Sequence, residues 1–368
     1  MNPTRTPATT ESTGDTVPGR RALRLGPLST VWRPRALLVP VLALAVLLLV
    51  MAANMGRGEF PISVADVLRV LAGGGERRQQ FIVLDLRLPR SLTGALVGAA
   101  LGLSGAITQS VARNPLASPD ILGVTWGAGA GAVTVLMLGG SYGSISGPLG
   151  SVGLPVAGLL GGLLAGLAVY ALSWRRGIDG FRMVLVGIGV SAVMANLTYW
   201  LLTVGDVTDA GRAMVWITGS LNGRGWEHVT PVALALVVLV PLALFLGRVL
   251  GALQFGDDTA RSLGVRVDRS RGLLVLMAVV LAAVATAAAG PVAFVALATP
   301  QIAMRLTGGA QPPLVASALL GAVLTVTADL VARTAFGVVE LPVGVVTAVL
   351  GAPYLMYLLI RRRREARA

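Results

Sequence analysis

Lysine and cysteine are both absent from this chain of 368 residues, and histidine occurs once. Without cysteine there is no disulfide framework, no thiolate metal site and no lipid-modified cysteine anchor. Without lysine there is no GxxxxGK[ST] phosphate loop, so any ATP that drives this protein is bound by a separate subunit. The lone His228 stands in a Trp-rich polar loop and reads as an ordinary loop residue, because a metal site needs several ligands. Charged residues make up only 13% of the chain, against about a quarter in a soluble domain. HExxH does not occur, and with one loop histidine and no cysteine the chain offers few groups for hydrolytic chemistry, intramembrane proteolysis included.

What is present is apolar. Hydrophobic residues reach 55%, mean hydropathy is +0.78 and glycine numbers 47. These values describe an all-α, polytopic membrane protein whose helices use glycine for close approach. The net charge of +13 comes from arginines at the two ends and between the apolar runs, so it reports topology and not nucleic-acid binding. Residues 1–34 are rich in Thr, Pro, Gly and Arg and are expected to form a disordered cytoplasmic tail. Arg20 and Arg21 resemble a twin-arginine signal, but the apolar run 36–55 is long enough to span and no clear A-x-A site comes after it.

A membrane domain is expected over 35–361, with spans near 36–55, 91–109, 121–138, 152–173, 183–204, 229–250, 273–289, 292–305, 313–331 and 341–360. Arginines before the first span and in the RRRREAR terminus place both ends in the cytoplasm, with 362–368 as a basic tail. Between 56 and 90 a mixed loop with an amphipathic piece, ISVADVLRVL, is expected outside. Its arginines conflict with the positive-inside rule, and an acidic partner outside the membrane would resolve the conflict. Glycines recur at intervals of four at Gly94, Gly98 and Gly102 and again at Gly158, Gly162 and Gly166, each set on one helix face. WITGSLNG, 216–223, is expected as a short outer helix or re-entrant piece. The span centres carry almost no charge, which speaks against the buried ionisable groups of an ion-coupled carrier.

The stretch 253–271, LQFGDDTARSLGVRVDRSR, is the one long charged interruption in the second half. Gly256 breaks the preceding run, Asp257 and Asp258 suit the first turn of a short helix, and Gly264 suits its termination. Arg261 comes four residues after Asp257, on the same helical face, and Ala260 with Leu263 forms a small apolar edge. Such an element cannot stay in lipid and must meet water or a partner.

Four motifs carry a resemblance that covers nearly everything after the first span: LRLPRSLTGALVGAALGLSGAITQSVARNPLASPDILGVTWGAG, GPVAFVALATPQIAMRLTGG, ADLVART and ELPVGVVTAVLGAPYLMYLL. They resemble the FecCD-like permease subunits of ABC importers for iron-siderophore complexes, haem and cobalamin. The resemblance implies the cobalamin-type (type II) fold of ten membrane helices, paired with a second permease subunit as a homodimer or paralogous heterodimer in the bacterial cytoplasmic membrane. It implies two further partners, ABC ATPase subunits that carry ATP and Mg, and an extracytoplasmic siderophore-binding protein. No cofactor or metal is expected on this chain.

In this family the loop after the sixth span couples to the ATPase, a role that falls on Gly256, Asp257, Ala260, Leu263 and Gly264, with Asp258 adjacent. The RLPR arginines, Arg87 and Arg90, and Arg333 are implied to receive acidic residues of the binding protein. Asn114, Pro115 and Leu116 match the NPL turn near the inner end of the passage and are implied to gate it. Two positions depart from the family pattern: Gln301 stands where histidine is common and Met304 where arginine is. The glutamine resembles permeases for catecholate siderophores. The expected function is ferric-siderophore import by alternating access. Cobalamin or haem import is the alternative within the class, and an ion-coupled secondary carrier the alternative outside it.

Overall fold

A computed structural model of the chain describes residues 22–25, 28–31, 34–58, 60–138, 148–175, 179–335 and 340–365. Most of the amino-terminal tail and the last three residues lie outside that set. Within the tail, β1 (Ala22–Leu25) pairs antiparallel with β2 (Leu28–Val31), where no secondary structure was expected.

The rest is helical. In chain order come α1 (Pro34–Gly56), α2 (Val64–Leu71), α3 (Arg77–Gln80), a π-helical segment (Phe81–Arg87), α4 (Leu88–Ala112), α5 (Val124–Leu138), α6 (Pro148–Ser173) and α7 (Gly180–Val204). Then come α8 (Val207–Ile217), α9 (Trp226–Leu253), α10 (Asp257–Ser262), α11 (Val267–Ala289), α12 (Val295–Thr307), α13 (Leu314–Thr334) and α14 (Val343–Glu365). Among the described residues seven helical stretches are long and apolar enough to cross a membrane, and α5 and α14 add shorter apolar ones.

Helix α4 is the axis of the molecule. Its side chains are buried almost throughout, and it packs against α13, α11, α12 and α9. The close fit depends on missing side chains. A Cβ at Gly98 would collide with the carbonyl of Gly321 on α13, and one at Gly321 with that of Gly98. The glycine face expected on this helix is therefore its contact with α13. Alanine at Gly98 should destabilise the fold by about 1–3 kcal/mol through overpacking. Alanine at Gly189, whose Cβ would meet open space, should be neutral or slightly stabilising. Thermal unfolding of the two variants in detergent measures the difference.

The outer helices obey a different logic. On α1, Ala43, Leu47, Met51 and Met55 recur every four residues and are buried, while Leu38, Leu42, Leu48 and Leu49 are exposed. The buried stripe packs on α13, and an exposed leucine face of this extent suits hydrocarbon, not water. Exposed apolar residues also line α7 and α9.

Two expectations need correction. The 56–90 region is not a loop up to Arg90, because helix runs without interruption over Arg77–Ala112, 36 residues. Pro89 does not interrupt it, because it stands at the start of α4, and the π turn before it reroutes the bonding: the Leu88 amide donates to the Val83 carbonyl. The helix of the 216–223 region lies upstream, in α8. Beyond Ile217 the chain turns back through Gly219 (φ 70°) and is pinned by Ser220 N–H to the Ala289 carbonyl (2.8 Å). On α6 the expected glycine set does pack closely, a Cβ at Gly166 colliding with Val279 and one at Gly162 pressing on Ala283, both on α11, while Gly161 makes the backbone contact with Gly127 on α5. The break at 290–291 does occur: Gly290 (φ 73°) ends α11 and Phe294 (φ 64°) opens α12.

Candidate functional site

Two charge clusters sit at opposite ends of α4, and 23 residues of helix put Arg90 and Arg113 about 35 Å apart. That separation slightly exceeds the roughly 30 Å hydrocarbon core of a bilayer.

At the amino-terminal end, Arg87, Arg90 and Arg333 converge on a cavity of about 570 Å³ that also admits Asp85, Arg224 and Glu340. All three arginines have partners within the chain. Arg90 grips Asp329 through Nε (3.2 Å to each carboxylate oxygen) and Nη2 (2.8 Å), and Asp329 also accepts from Asn54 Nδ2 at 3.0 Å. Arg90 Nη1 reaches Glu340 at 3.1 Å. Arg87 donates to the carbonyls of Met55 (2.7 Å) and Phe60 (2.6 Å), and Arg333 to Asn54 Oδ1 (3.1 Å) and the Arg57 carbonyl (2.9 Å). The last carbonyls of α1 thus meet two cations, the favourable sign at a helix carboxyl end. This network answers the charge conflict of the first outer segment: acids and helix-end carbonyls of the same chain balance these arginines. Asp329, Asn54 and Glu340 were missed as their partners, since the relevant pairs lie up to 279 residues apart.

At the other end, α4 stops on Arg113, which caps it in the left-handed conformation (φ 49°, ψ 32°). Asn114, Pro115 and Leu116 come next as a tight turn, closed by Leu116 N–H to Asn114 Oδ1 (3.0 Å) and Ala117 N–H to the Asn114 carbonyl (3.1 Å). Arg113, Asn114 and Pro115 line a cavity of about 300 Å³ with Gln109, Gln301 and Met304. Gln301 Nε2 donates to Gln109 Oε1 at 2.6 Å, and Gln109 Nε2 donates to the Leu297 carbonyl at 3.0 Å. The two positions that depart from the family pattern therefore stand beside the turn implied to gate the passage. A second, largely apolar cavity of about 400 Å³ lies further along, where Asp120, Trp126 and Phe294 meet.

Helix α10 is bracketed by Gly256 (φ 102°) and Gly264 (φ 81°). Gly264 N–H donates to the Arg261 carbonyl and Val265 N–H to the Ala260 carbonyl, the paired bonds of a Schellman cap. Ala260 is fully buried and anchors the element, while Leu263 is exposed, so the expected apolar edge is split between two faces. The carboxylates are split as well. Arg261 pairs with Asp258 (3.3 Å), not with Asp257, and Asp258 is wholly exposed. Asp257 turns inward and accepts from Arg271 Nη2 (2.8 Å) and from Arg113 Nη2 (2.5 Å). Phe255, 74% exposed, joins Asp258 and Leu263 in offering a mixed surface to the surroundings. Phe255 escapes the sequence pattern, although an aromatic residue beside two aspartates in an aqueous segment is a usable signal.

Burial acts to raise the Asp257 pKa, but hydrogen bonds from Arg271 and Arg113 outweigh it and hold the carboxyl below its ordinary 3.8. A depressed folded pKa gives stabilisation that is present above the unfolded pKa and lost as pH falls through the folded one. The pairing should therefore be insensitive to pH from about 8 down to about 5 and weaken only under stronger acid. Hydrogen exchange of the α10 amides across that range checks this.

Among the described residues no group of three or more His, Cys, Asp or Glu side chains is placed to hold a metal ion.

Comparison with known proteins gives a consistent picture. The model of the FecCD transport family matches residues 44–361. The chain is 42% identical to the ferric enterobactin transport system permease protein FepG of Escherichia coli (strain K12) over 308 residues, covering 84% of this chain and 91% of that one. It is 38% identical to the iron(3+)-hydroxamate import system permease protein FhuG of Bacillus subtilis (strain 168), over 89% of this chain and 98% of that one. Among solved structures, the inward-facing conformation of a protein described as a metal-chelate type ABC transporter superposes with a TM-score of 0.77 at 27% identity, covering 88% of this chain and 99% of the other.

Proposed function

The chain belongs to the FecCD transport family, and from that premise we propose that it is the permease subunit of an ATP-driven importer carrying ferric siderophores across the bacterial cytoplasmic membrane. The observation that carries the proposal is α10. A six-residue charged helix, glycine-bracketed and capped, stands between two apolar helices with Phe255, Asp258 and Leu263 turned outward. That is a docking face for an ATPase subunit, and this chain has no phosphate loop of its own.

Ten crossings are proposed, from α1, the long helix ending in α4, α5, α6, α7, α9, α11, α12, α13 and α14, with both termini in the cytoplasm. The Arg113 end of α4 then faces the cytoplasm and the Arg90 end faces outward, consistent with the arginines around α10. A second permease subunit completes the passage, and ATP and Mg are held by the ATPase. Closure of the ATPase moves α10, and the passage is reshaped around the Asn114–Pro115–Leu116 turn. On the outer side, carboxylates of a siderophore-binding protein approach Arg87, Arg90 and Arg333 through the cavity they line. Because those arginines already have partners, docking is an exchange of acids, with the half-exposed Glu340 the one most readily displaced. The iron-chelate names of the relatives favour a ferric siderophore over cobalamin or haem.

Growth of a deletion strain on single iron-loaded siderophores tests the substrate, with catecholate, hydroxamate and citrate chelates supplied separately. Loss of growth on one chelate and its return with the gene support the proposal. Unimpaired growth on all of them, with impaired cobalamin or haem use, contradicts it.

A further inference from the structure

We infer that Arg113 is a positioning residue that transmits displacement of the coupling helix α10 to the turn at the inner mouth of the passage. The inference rests on the import reading above and adds to it a route through named atoms.

Both covalent connections of α10 run through glycine. The chain enters through Gly256 (φ 102°) and leaves through Gly264 (φ 81°), residues without a Cβ in conformations few other residues adopt. A push on α10 can be absorbed at either glycine. The ion pairs of Asp257, its first residue, bypass them. Arg271 on α11 is buried and grips both carboxylate oxygens, Nη2 to Oδ1 (2.8 Å) and Nη1 to Oδ2 (3.3 Å). Arg113 Nη2 donates to the same Oδ1, and its Nε and Nη2 both donate to the Leu253 carbonyl at the end of α9. One guanidinium therefore binds the end of α9, the start of α10 and, through its own backbone, the end of α4.

From Arg113 to the gate there is no intervening residue. Asn114 is next in the chain, and the Arg113 backbone is itself in the left-handed region, one of two described non-glycine residues with positive φ. Such a conformation persists where surrounding contacts determine it. Displacing the guanidinium therefore bears on the conformation of the next residue. Arg113 also lines the 300 Å³ cavity with Asn114, Gln109 and Gln301, so the same side chain belongs to the coupling contact and to the wall of the mouth. The planar fork of arginine suits this double attachment, which the single ammonium of lysine cannot reproduce.

The test uses the assembled transporter with its ATPase in proteoliposomes, with radiolabelled ferric-chelate uptake and phosphate release read in the same sample. With Arg113→Gln, uptake per ATP hydrolysed is expected to fall about tenfold or more, as for loss of a charge-assisted contact, while the ATPase still co-purifies and still hydrolyses. Arg113→Lys is expected between the two. Unchanged uptake per ATP in Arg113→Gln overturns the inference. Loss of the ATPase from the complex also overturns it, because Arg113 would then build the docking surface and transmit nothing. If Arg113→Gln fails to fold, Arg113→Lys decides alone: an intermediate ratio supports the inference and a wild-type ratio overturns it. Absence of ATP-dependent uptake in the unmodified protein sinks the import reading itself, a failure distinguishable from all of these.

Discussion

Alanine in place of Asp329 should destabilise the folded chain by about 3–5 kcal/mol, the cost of breaking a buried ion pair from one side. Asp329 is 1% exposed and takes three hydrogen bonds from Arg90 and one from Asn54. Its removal leaves the Nε and Nη2 of Arg90 without their acceptor in a buried position. Glu340 keeps one contact with Arg90, but its side chain is 40% exposed and screened by solvent. The network also ties α4 and α13 to the end of α1, so the loss should appear as early release of α1. Removing both partners, with leucine at Arg90 and at Asp329, should cost less than the single alanine, since well-packed apolar residues can replace a buried pair at little net penalty. Melting in detergent measures both. A single variant that melts with the wild type would show that the pair does not hold the fold together.

Replacing 257–264 with a flexible glycine–serine segment of equal length should abolish ATP-driven uptake, with a fall of more than about a hundredfold. The segment retains the reach of the chain but loses the buried Ala260 anchor, the Schellman cap and every contact of Asp257. Removing about three charge-assisted or capping contacts, each worth roughly 1 kcal/mol or more, leaves a six-residue helix with no means of staying formed. Membrane insertion should change little, because α10 packs only at the edge of α9 and α11, whereas melting should fall somewhat through the loss of the Asp257 contact with the buried Arg271. Co-purification of the ATPase checks the cause: its loss along with uptake places the defect at the docking face. Uptake within a few fold of the wild type would mean that energy enters elsewhere.

What a single sequence could and could not reveal divides along chain distance. The limits of α10 were readable because they are local: Gly256 and Gly264 act within a turn of their own positions. The direction of Asp257 was not readable, because one partner, Arg113, lies 144 residues away, the other, Arg271, is reached only by the fold of α10 onto α11, and the nearer candidate, Arg261, has the right spacing but pairs with Asp258. The same holds for Arg90 and Asp329, 239 residues apart. Each stands out as a charge near a span end, and only the packing of α4 on α13 makes them a pair. The glycine face of α4 was legible from its period, but which helix it meets was not. The helix over 77–88 was not legible from the mixed composition of that loop, and Pro89 does not interrupt it, since at a helix start a proline removes no needed donor. The outward face of α10 was half visible, with Asp258 and Leu263 recognised and Phe255 missed.

The most direct test of ATP-driven import through α10 places the chain with its ATPase in proteoliposomes and supplies either Mg-ATP to the side that α10 faces or an ion gradient without ATP, while uptake of a radiolabelled ferric siderophore is monitored. Uptake is expected only with ATP, and none when 257–264 is replaced. Uptake driven by the ion gradient in the absence of ATP would contradict the proposed mechanism.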